Sequence, residues 1–184
     1  TSWAMNGSLP AGLSFGTNNG TIYGTPTELL TQTAYTIWAN NSGGSSAAYL
    51  NITVVDELPA LSYSPSALDL TNNTVSSDLP LVPTVAGAGE ITSWFINASL
   101  PAGLSFGTNN GTIWGTPTEL WPQRSYTVLA NNSGGTSVAY LNITVVDELP
   151  TLSYSPSTLL MTMGNQSSDL PLNATLNGSG VIIS

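Results

Sequence analysis

The sequence predicts an all-β protein built from tandem β-sandwich modules. Three observations carry this. The apolar pattern alternates with a period of two, the mark of a half-buried strand. Pro and Gly, 12 and 18 of them in 184 residues, interrupt nearly every stretch that could become a helix. Residues 92–146 repeat residues 1–55 almost unchanged, at an offset of 91 residues.

Taken in order, Leu9-Pro10-Ala11-Gly12-Leu13-Ser14-Phe15 leads to two turn signals, Asn18-Asn19-Gly20 and Gly24-Thr25-Pro26, that bound short strands. Ala34–Ala39 alternates, with Tyr35, Ile37 and Ala39 on one face and Thr36 and Trp38 on the other. A turn is expected over Asn40–Gly44. Ala47–Val55 then places Ala48, Leu50, Ile52 and Val54 on one face and Tyr49, Asn51 and Thr53 on the other. Two alternating runs about a Gly-containing turn read as a β-hairpin. Leu9–Ile22 returns intact as Leu100–Ile113, and Asn51–Pro59 as Asn142–Pro150. Leu61–Pro65 returns as Leu152–Pro156, and Ser77–Pro80 as Ser168–Pro171, with Asp78 and Asp169 as turn residues. Several short strands in each repeat suggest a sandwich.

The module boundary falls at Val54-Val55-Asp56-Glu57-Leu58-Pro59, a strand end followed by a polar, Pro-containing linker, and at its copy Val145–Pro150. Residues 56–146 then form one complete module. Residues 1–55 are the back part of a module and residues 147–184 the front part. One expectation is that the front part of one subunit and the back part of the next build a shared domain, with Ser184 near residue 1 of the following copy. The alternative is that both ends cut a longer continuous chain. Either gives a linear, head-to-tail object.

Charged residues make up 6% of the chain, far below the ~25% of ordinary soluble domains, while apolar residues reach 41%. Lys and His are absent, and Arg124 is the only basic side chain. With a net charge of −9 there is no cationic footprint for nucleic acid or an acidic membrane. No run of about 18 apolar residues predicts membrane insertion. Without Cys, disulfides and thiolate metal sites are excluded; without Lys, so is a Lys–Asn isopeptide link. Low charge threatens solubility, so Ser, Thr and Asn must keep the surface wet.

The combination Leu-Pro-Ala-Gly-Leu-Ser-Phe, Gly-Thr-Ile-(Tyr23 or Trp114)-Gly-Thr-Pro-Thr, Ala-Asn-Asn-Ser-Gly-Gly and Leu-Asn-Ile-Thr-Val-Val resembles the immunoglobulin-like repeats of large microbial extracellular surface proteins. The resemblance covers nearly the whole chain. It implies an immunoglobulin-like or cadherin-like sandwich used in tandem outside the cell, and it brings no catalytic residues. The aromatic at 23 and 114 departs from the small polar residue often found there.

Asn-X-Ser/Thr sequons occur at Asn6, Asn19, Asn40, Asn51, Asn72, Asn97, Asn110, Asn131, Asn142, Asn165, Asn173 and Asn177. They predict covalent N-glycans on a secreted surface. Asn is also a good turn residue, which accounts for Asn19 and Asn110 but not for the mid-strand Asn51. Asp56-Glu57 and Asp147-Glu148 sit at the module joints. Ca²⁺ takes roughly six to eight oxygens, so these pairs are weak metal candidates, read first as solvated linker charges. No cofactor is expected. Trp38, Trp114 and Trp121, with Phe95, are expected outside the core as interface aromatics, whereas Trp3 and Trp94 are expected inside it. No His, Lys or Cys is available for a nucleophile–base arrangement. A paired-carboxylate glycosidase stays formally open, but no acidic pair recurs outside linkers and turns.

The sequence therefore predicts a non-enzymatic, glycan-coated structural unit of an extracellular filament or stalk, with copies of itself as head-to-tail partners. The alternative is an adhesin module that binds carbohydrate through exposed aromatics.

Overall fold

The computed structural model describes residues 1–87 and 89–178. Among these, every regular element is a strand. In chain order they are β1 (Ser2–Met5), β2 (Leu13–Phe15), β3 (Ile22–Gly24), β4 (Leu30–Asn41), β5 (Gly44–Val54), β6 (Ala60–Ser62), β7 (Ala67–Thr71) and β8 (Thr84–Ala86). Then come β9 (Ser93–Ile96), β10 (Leu104–Phe106), β11 (Ile113–Gly115), β12 (Trp121–Asn132), β13 (Gly135–Val146), β14 (Thr151–Tyr154) and β15 (Ala174–Asn177). Contacts divide the chain into two compact units. One comprises Thr1–Ala60, Val85–Ser93 and Ala130–Ser137; the other comprises Leu61–Thr84, Trp94–Leu129 and Val138–Ser184.

In the first unit, β1, β4 and β5 form an antiparallel sheet in that order, and β2 pairs with β3. The β4–β5 hairpin is longer and its turn tighter than the sequence suggests. Asn40 and Asn41 are ladder residues opposite Ser45 and Gly44, leaving only Ser42 and Gly43 to turn. The Asn41 carboxamide oxygen accepts from the Gly43 N–H at 2.8 Å, which closes the loop locally. Among the described residues β4 is the only partner of β5, which lies at the edge of this sheet.

The second unit holds most of the sheet ordered β7-β13-β12-β9, and β10 pairs with β11. Here the copy of β5 is not an edge. Strand β7 runs parallel to β13, from Ala67 opposite Asn142 to Thr71 opposite Val146. Alternation then sends Leu68 and Leu70 to the same side as Ile143 and Val145. All four are buried and belong to the core cluster with Tyr126 and Leu141. Leu81 and Ile113 exchange backbone hydrogen bonds of 2.8 and 3.0 Å, so that a front segment is laced to β11.

Local bonds are the same in both repeat copies. The Tyr35 hydroxyl donates to the Ser8 carbonyl at 3.1 Å, and Tyr126 to Ser99 at 3.2 Å. Glu28 accepts from the Ala11 N–H at 2.8 Å, and Glu119 from Ala102 at 2.7 Å. Burial differs. Leu141 is fully buried, but its copy Leu50 is 38% exposed. Ala139 is buried and Ala48 exposed. The same residues form the same strands in both copies, and among the described residues the copy with β7 along β13 is the more deeply buried.

One polar anchor ties front to back in the second unit. The buried Tyr63 hydroxyl donates to the Gly111 carbonyl at 2.5 Å. Gly111 has φ +69, and a Cβ there would meet the Trp94 ring at 2.4 Å, so only glycine lets the indole lie flat on this turn. Burial raises the Tyr63 phenol well above its ordinary value of 10.0. The sign follows directly: the folded state holds this proton more tightly than the unfolded chain. The anchor's contribution is therefore complete below pH 10 and is lost as pH climbs through the folded pKa. Chemical denaturation between pH 8 and 12 should show stability falling above about pH 10. Tyr63→Phe should be less stable at pH 8 by about 1 kcal/mol and show a shallower alkaline loss. Parallel pH profiles in the two proteins would remove Tyr63 from this account.

Candidate functional site

Eight sequon asparagines are exposed: Asn6, Asn19, Asn51, Asn97, Asn110, Asn165, Asn173 and Asn177. Asn40, Asn72, Asn131 and Asn142 are half-buried. Several side chains also brace the backbone through their carbonyl oxygen. Asn6 accepts from the Thr36 N–H at 2.6 Å and Asn97 from Thr127 at 3.0 Å. Asn19 and Asn110 accept from the N–H of Thr21 and Thr112. All these bonds use the oxygen and leave the nitrogen, the atom that carries an N-glycan. Asn40 and Asn131 differ: their nitrogens donate to Ser2 at 3.4 Å and Ser93 at 2.8 Å. A glycan there has to share the nitrogen with that bond. The Asn72 carboxamide oxygen is buried without a hydrogen-bond partner among the described residues, which makes it an unlike member of the set.

The aromatics divide. Trp114 is 43% exposed and Phe95 is exposed, on the outer surface as expected. Trp121 corrects the expectation: it is half-buried against the core cluster, and the Arg124 guanidinium covers its ring at 4.5 Å from the centroid. Trp38 is also half-buried, with Ala4 and Ala47 as ladder neighbours on either side. Trp94 packs on the core as expected, while Trp3 is half-buried over Gly20. Asp78 and Asp169 take the same turn, each N–H donating to the hydroxyl of Ser76 or Ser167. Among the described residues no group of three or more acidic side chains gathers for a metal ion.

The Asp56-Glu57 linker is more than a pair of solvated charges. Within the first unit it is gripped by the tip of the β12–β13 hairpin. The Asp56 N–H donates to the Ser133 hydroxyl at 2.8 Å, and that hydroxyl donates to the Asp56 carboxylate at 2.7 Å. The Asn132 side-chain nitrogen donates to the Glu57 carbonyl at 2.7 Å, while its oxygen accepts from the N–H of Gly134 and Gly135. A Cβ at Gly134 would stand 2.2 Å from the Asp56 carbonyl oxygen, so glycine is required for the linker to approach. Every polar atom in this joint belongs to motifs present in both copies, Asn-Asn-Ser-Gly-Gly and Val-Val-Asp-Glu-Leu-Pro. Sequence reasoning treated them separately, as a sequon and a charged linker. Their joint repetition was the available signal.

Residues 1–55 and 59–146 match the family model described as "Putative Ig domain". The chain belongs to this Ig-domain family. Curated relatives include the "Serine-rich adhesin for platelets" of Staphylococcus aureus. The chain is 29% identical over 128 residues to the protein of strain MRSA252, covering 69% of this chain and 9% of that one. It is 30% identical over 127 residues to that of strain USA300, covering 68% and 6%. The chain thus spans less than a tenth of the length of these relatives. Solved structures similar to it include Drosophila N-cadherin EC1-3, with TM-score 0.49, 14% identity and 82% and 56% of the two chains covered. The four N-terminal Ig domains of Dscam1 isoform 1.9 give TM-score 0.40, 12% identity, and 79% and 37% covered.

In Ig-domain terms, the two repeat copies present the same site in two states. In the second copy the hairpin tip holds a linker. In the first copy Asn40, Asn41 and Gly43 of the equivalent tip line an open depression with Thr1, Ser2 and Trp3. The space beside Gly43 is open there: a Cβ would approach nothing nearer than the Asn41 side chain at 3.2 Å. This asymmetry yields a paired test in dilute solution. Gly134→Ala should break the joint and strip exchange protection from the Asp56 amide by roughly tenfold or more, the equivalent of about 1.4 kcal/mol. Gly43→Ala should leave the amide protection of the whole chain unchanged.

Proposed function

We propose that this Ig-domain chain is a structural unit of an extracellular, N-glycosylated filament or stalk, with copies joined head to tail. The observation that carries the reading is the tandem repeat itself: residues 92–146 return residues 1–55 at an offset of 91, and both stretches match the Ig-domain family model. The expectation that Ser184 lies near residue 1 of the next copy falls outside the described residues. An all-Ig, tandem architecture without a nucleophile–base arrangement suits mechanical or adhesive work rather than catalysis. The relatives' description as adhesins supports a place at the cell surface. The sequon density, set against 6% charged residues, supports glycans as the hydration shell. Glycans on exposed strands would also shield sheet edges from lateral pairing.

Carbohydrate binding is the second reading, favoured by the exposed rings of Trp114, Phe95, Tyr49 and Tyr140. Trp114→Ser separates the two. Under the filament reading it preserves the fold and weakens packing beneath glycans or between modules. Under the adhesin reading it abolishes binding to a soluble sugar and leaves assembly intact.

The glycan arm has its own measurement. Intact mass of native material before and after deglycosylation should show a loss of several glycans per chain, with the exposed asparagines occupied more fully than Asn72. An unchanged mass would sink the glycosylation part of the reading and leave the assembly part standing.

A further inference from the structure

Two tyrosines are placed unlike the buried ones. Tyr35, Tyr63 and Tyr126 are buried, and each hydroxyl donates to a backbone carbonyl. Tyr49 and Tyr140 lie mid-strand in β5 and β13, 83% and 70% exposed, and neither hydroxyl has a partner among the described residues. A single exposed aromatic asks for no explanation. Here the neighbours supply one. Alternation puts Tyr140, Asn142 and Thr144 on the outward face of β13, while Ala139, Leu141, Ile143 and Val145 enter the core. Tyr49, Asn51 and Thr53 share the outward face of β5 in the same way. Each aromatic thus stands two residues ahead of a sequon asparagine on one face. That places them roughly 7 Å apart along the strand, a separation one pyranose ring spans.

The floor around each asparagine is low. Ala67 is the ladder partner of Asn142 on one side. Ser125 reaches it from the other, its hydroxyl donating to the Asn142 carboxamide oxygen at 2.5 Å. That bond holds the side chain and leaves the nitrogen, the atom that carries an N-glycan. In the first copy Ala34 stands opposite Asn51, and Thr36 opposite Tyr49. Asparagine is a poor strand former, so its mid-strand place needs a use that turn chemistry does not supply. The two copies differ on this face, with Ala34 against Ser125 and Ala47 against Val138, yet Tyr, Asn and Thr recur together.

We propose that Tyr49 and Tyr140 are stacking seats for the first sugar of the N-glycans on Asn51 and Asn142. These seats rest on the glycan reading above and fix where two of those glycans lie. The phenol ring offers its flat side to the C–H face of the pyranose, and the sugar hydroxyls stay in water. Covering the tyrosine removes apolar surface from solvent. The contact suits a tethered sugar and not a free one. A short covalent link gives an effective concentration of roughly millimolar, so one weak contact suffices. A free saccharide needs a concave site with several convergent polar groups, and an open sheet face is not one. A seated sugar lies along the sheet instead of swinging free, and so becomes a fixed part of its outer face.

The test uses the full chain secreted from a host whose N-glycans begin with N-acetylglucosamine, trimmed enzymatically to that single sugar. Peptide masses give the occupancy of each asparagine. In the NMR spectrum, protons of the sugar on Asn142 should be shifted upfield by the Tyr140 ring. Tyr140→Thr should return them to the positions of an exposed sugar, and Tyr49→Thr should do the same for Asn51 alone. The sugar on Asn142 should also lower the unfolding equilibrium constant, read by denaturant, by roughly fivefold, the strength of one aromatic contact. In the Tyr140→Thr background the same sugar should change it by less than about twofold. Asn142→Gln, alone and with Tyr140→Thr, supplies the baseline without sugar, so that the cost of losing tyrosine from the strand is counted separately. Occupied asparagines whose sugar protons stay unshifted, or equal stabilisation in both backgrounds, would overturn the seats and leave glycosylation standing. Glycans on other sequons with Asn51 and Asn142 bare would also overturn the seats alone. A chain without a glycan at any sequon would overturn the seats and the glycan reading together.

Discussion

The parallel pairing of Ala67–Thr71 with Asn142–Val146 is the interaction on which the rest of the structure depends. It joins strands that lie 75 residues apart in the sequence, Ala67 opposite Asn142. Without it, the two apolar faces have no reason to meet in one register. With it, Leu68 and Leu70 are delivered onto Ile143 and Val145, and burial of each such side chain contributes roughly 1.5–3 kcal/mol. The Tyr63 anchor and the Leu81–Ile113 bridge then lock the front to the back at two further points. Residues 1–55 make the same hairpin and turns with no strand beside β5 among the described residues other than β4, and Leu50 and Ala48 are more exposed than Leu141 and Ala139.

That contrast separates two kinds of stability in one repeat. Local bonds, such as Tyr35 to Ser8 or Glu28 to Ala11, form within the back strands and reappear at similar lengths in both copies. They set the shape of the face before anything covers it. Burial is the nonlocal term.

The joint shows how a surface almost without cations can still define geometry. Asp56 is positioned by a serine hydroxyl and a backbone amide rather than by a cation, in a chain whose only basic side chain, Arg124, lies over Trp121. The hydroxyl that serves it belongs to the Asn131-Asn132-Ser133 sequon. One short motif thus carries a candidate modification site and a contact to the linker, and the glycine that follows it, Gly134, clears the path of the linker.

The sequence by itself determined the all-β class, the hairpin strands, the turn residues and the family, because alternation, glycine and proline act over a few residues. It also determined the 91-residue offset, since a repeat is visible without coordinates. Only the tertiary structure decided which apolar faces close. Leu50 and Leu141 lie in the same local pattern and differ solely in what lies over them. Only the tertiary structure decided that Trp121 packs inward beneath Arg124 while Trp114 stays exposed, since both are aromatic residues in short strands. Nor could the pattern place Asp56 against Ser133, 77 residues away in the sequence. Contacts between distant segments depend on the sandwich first bringing their backbones together, and no local periodicity encodes that distance.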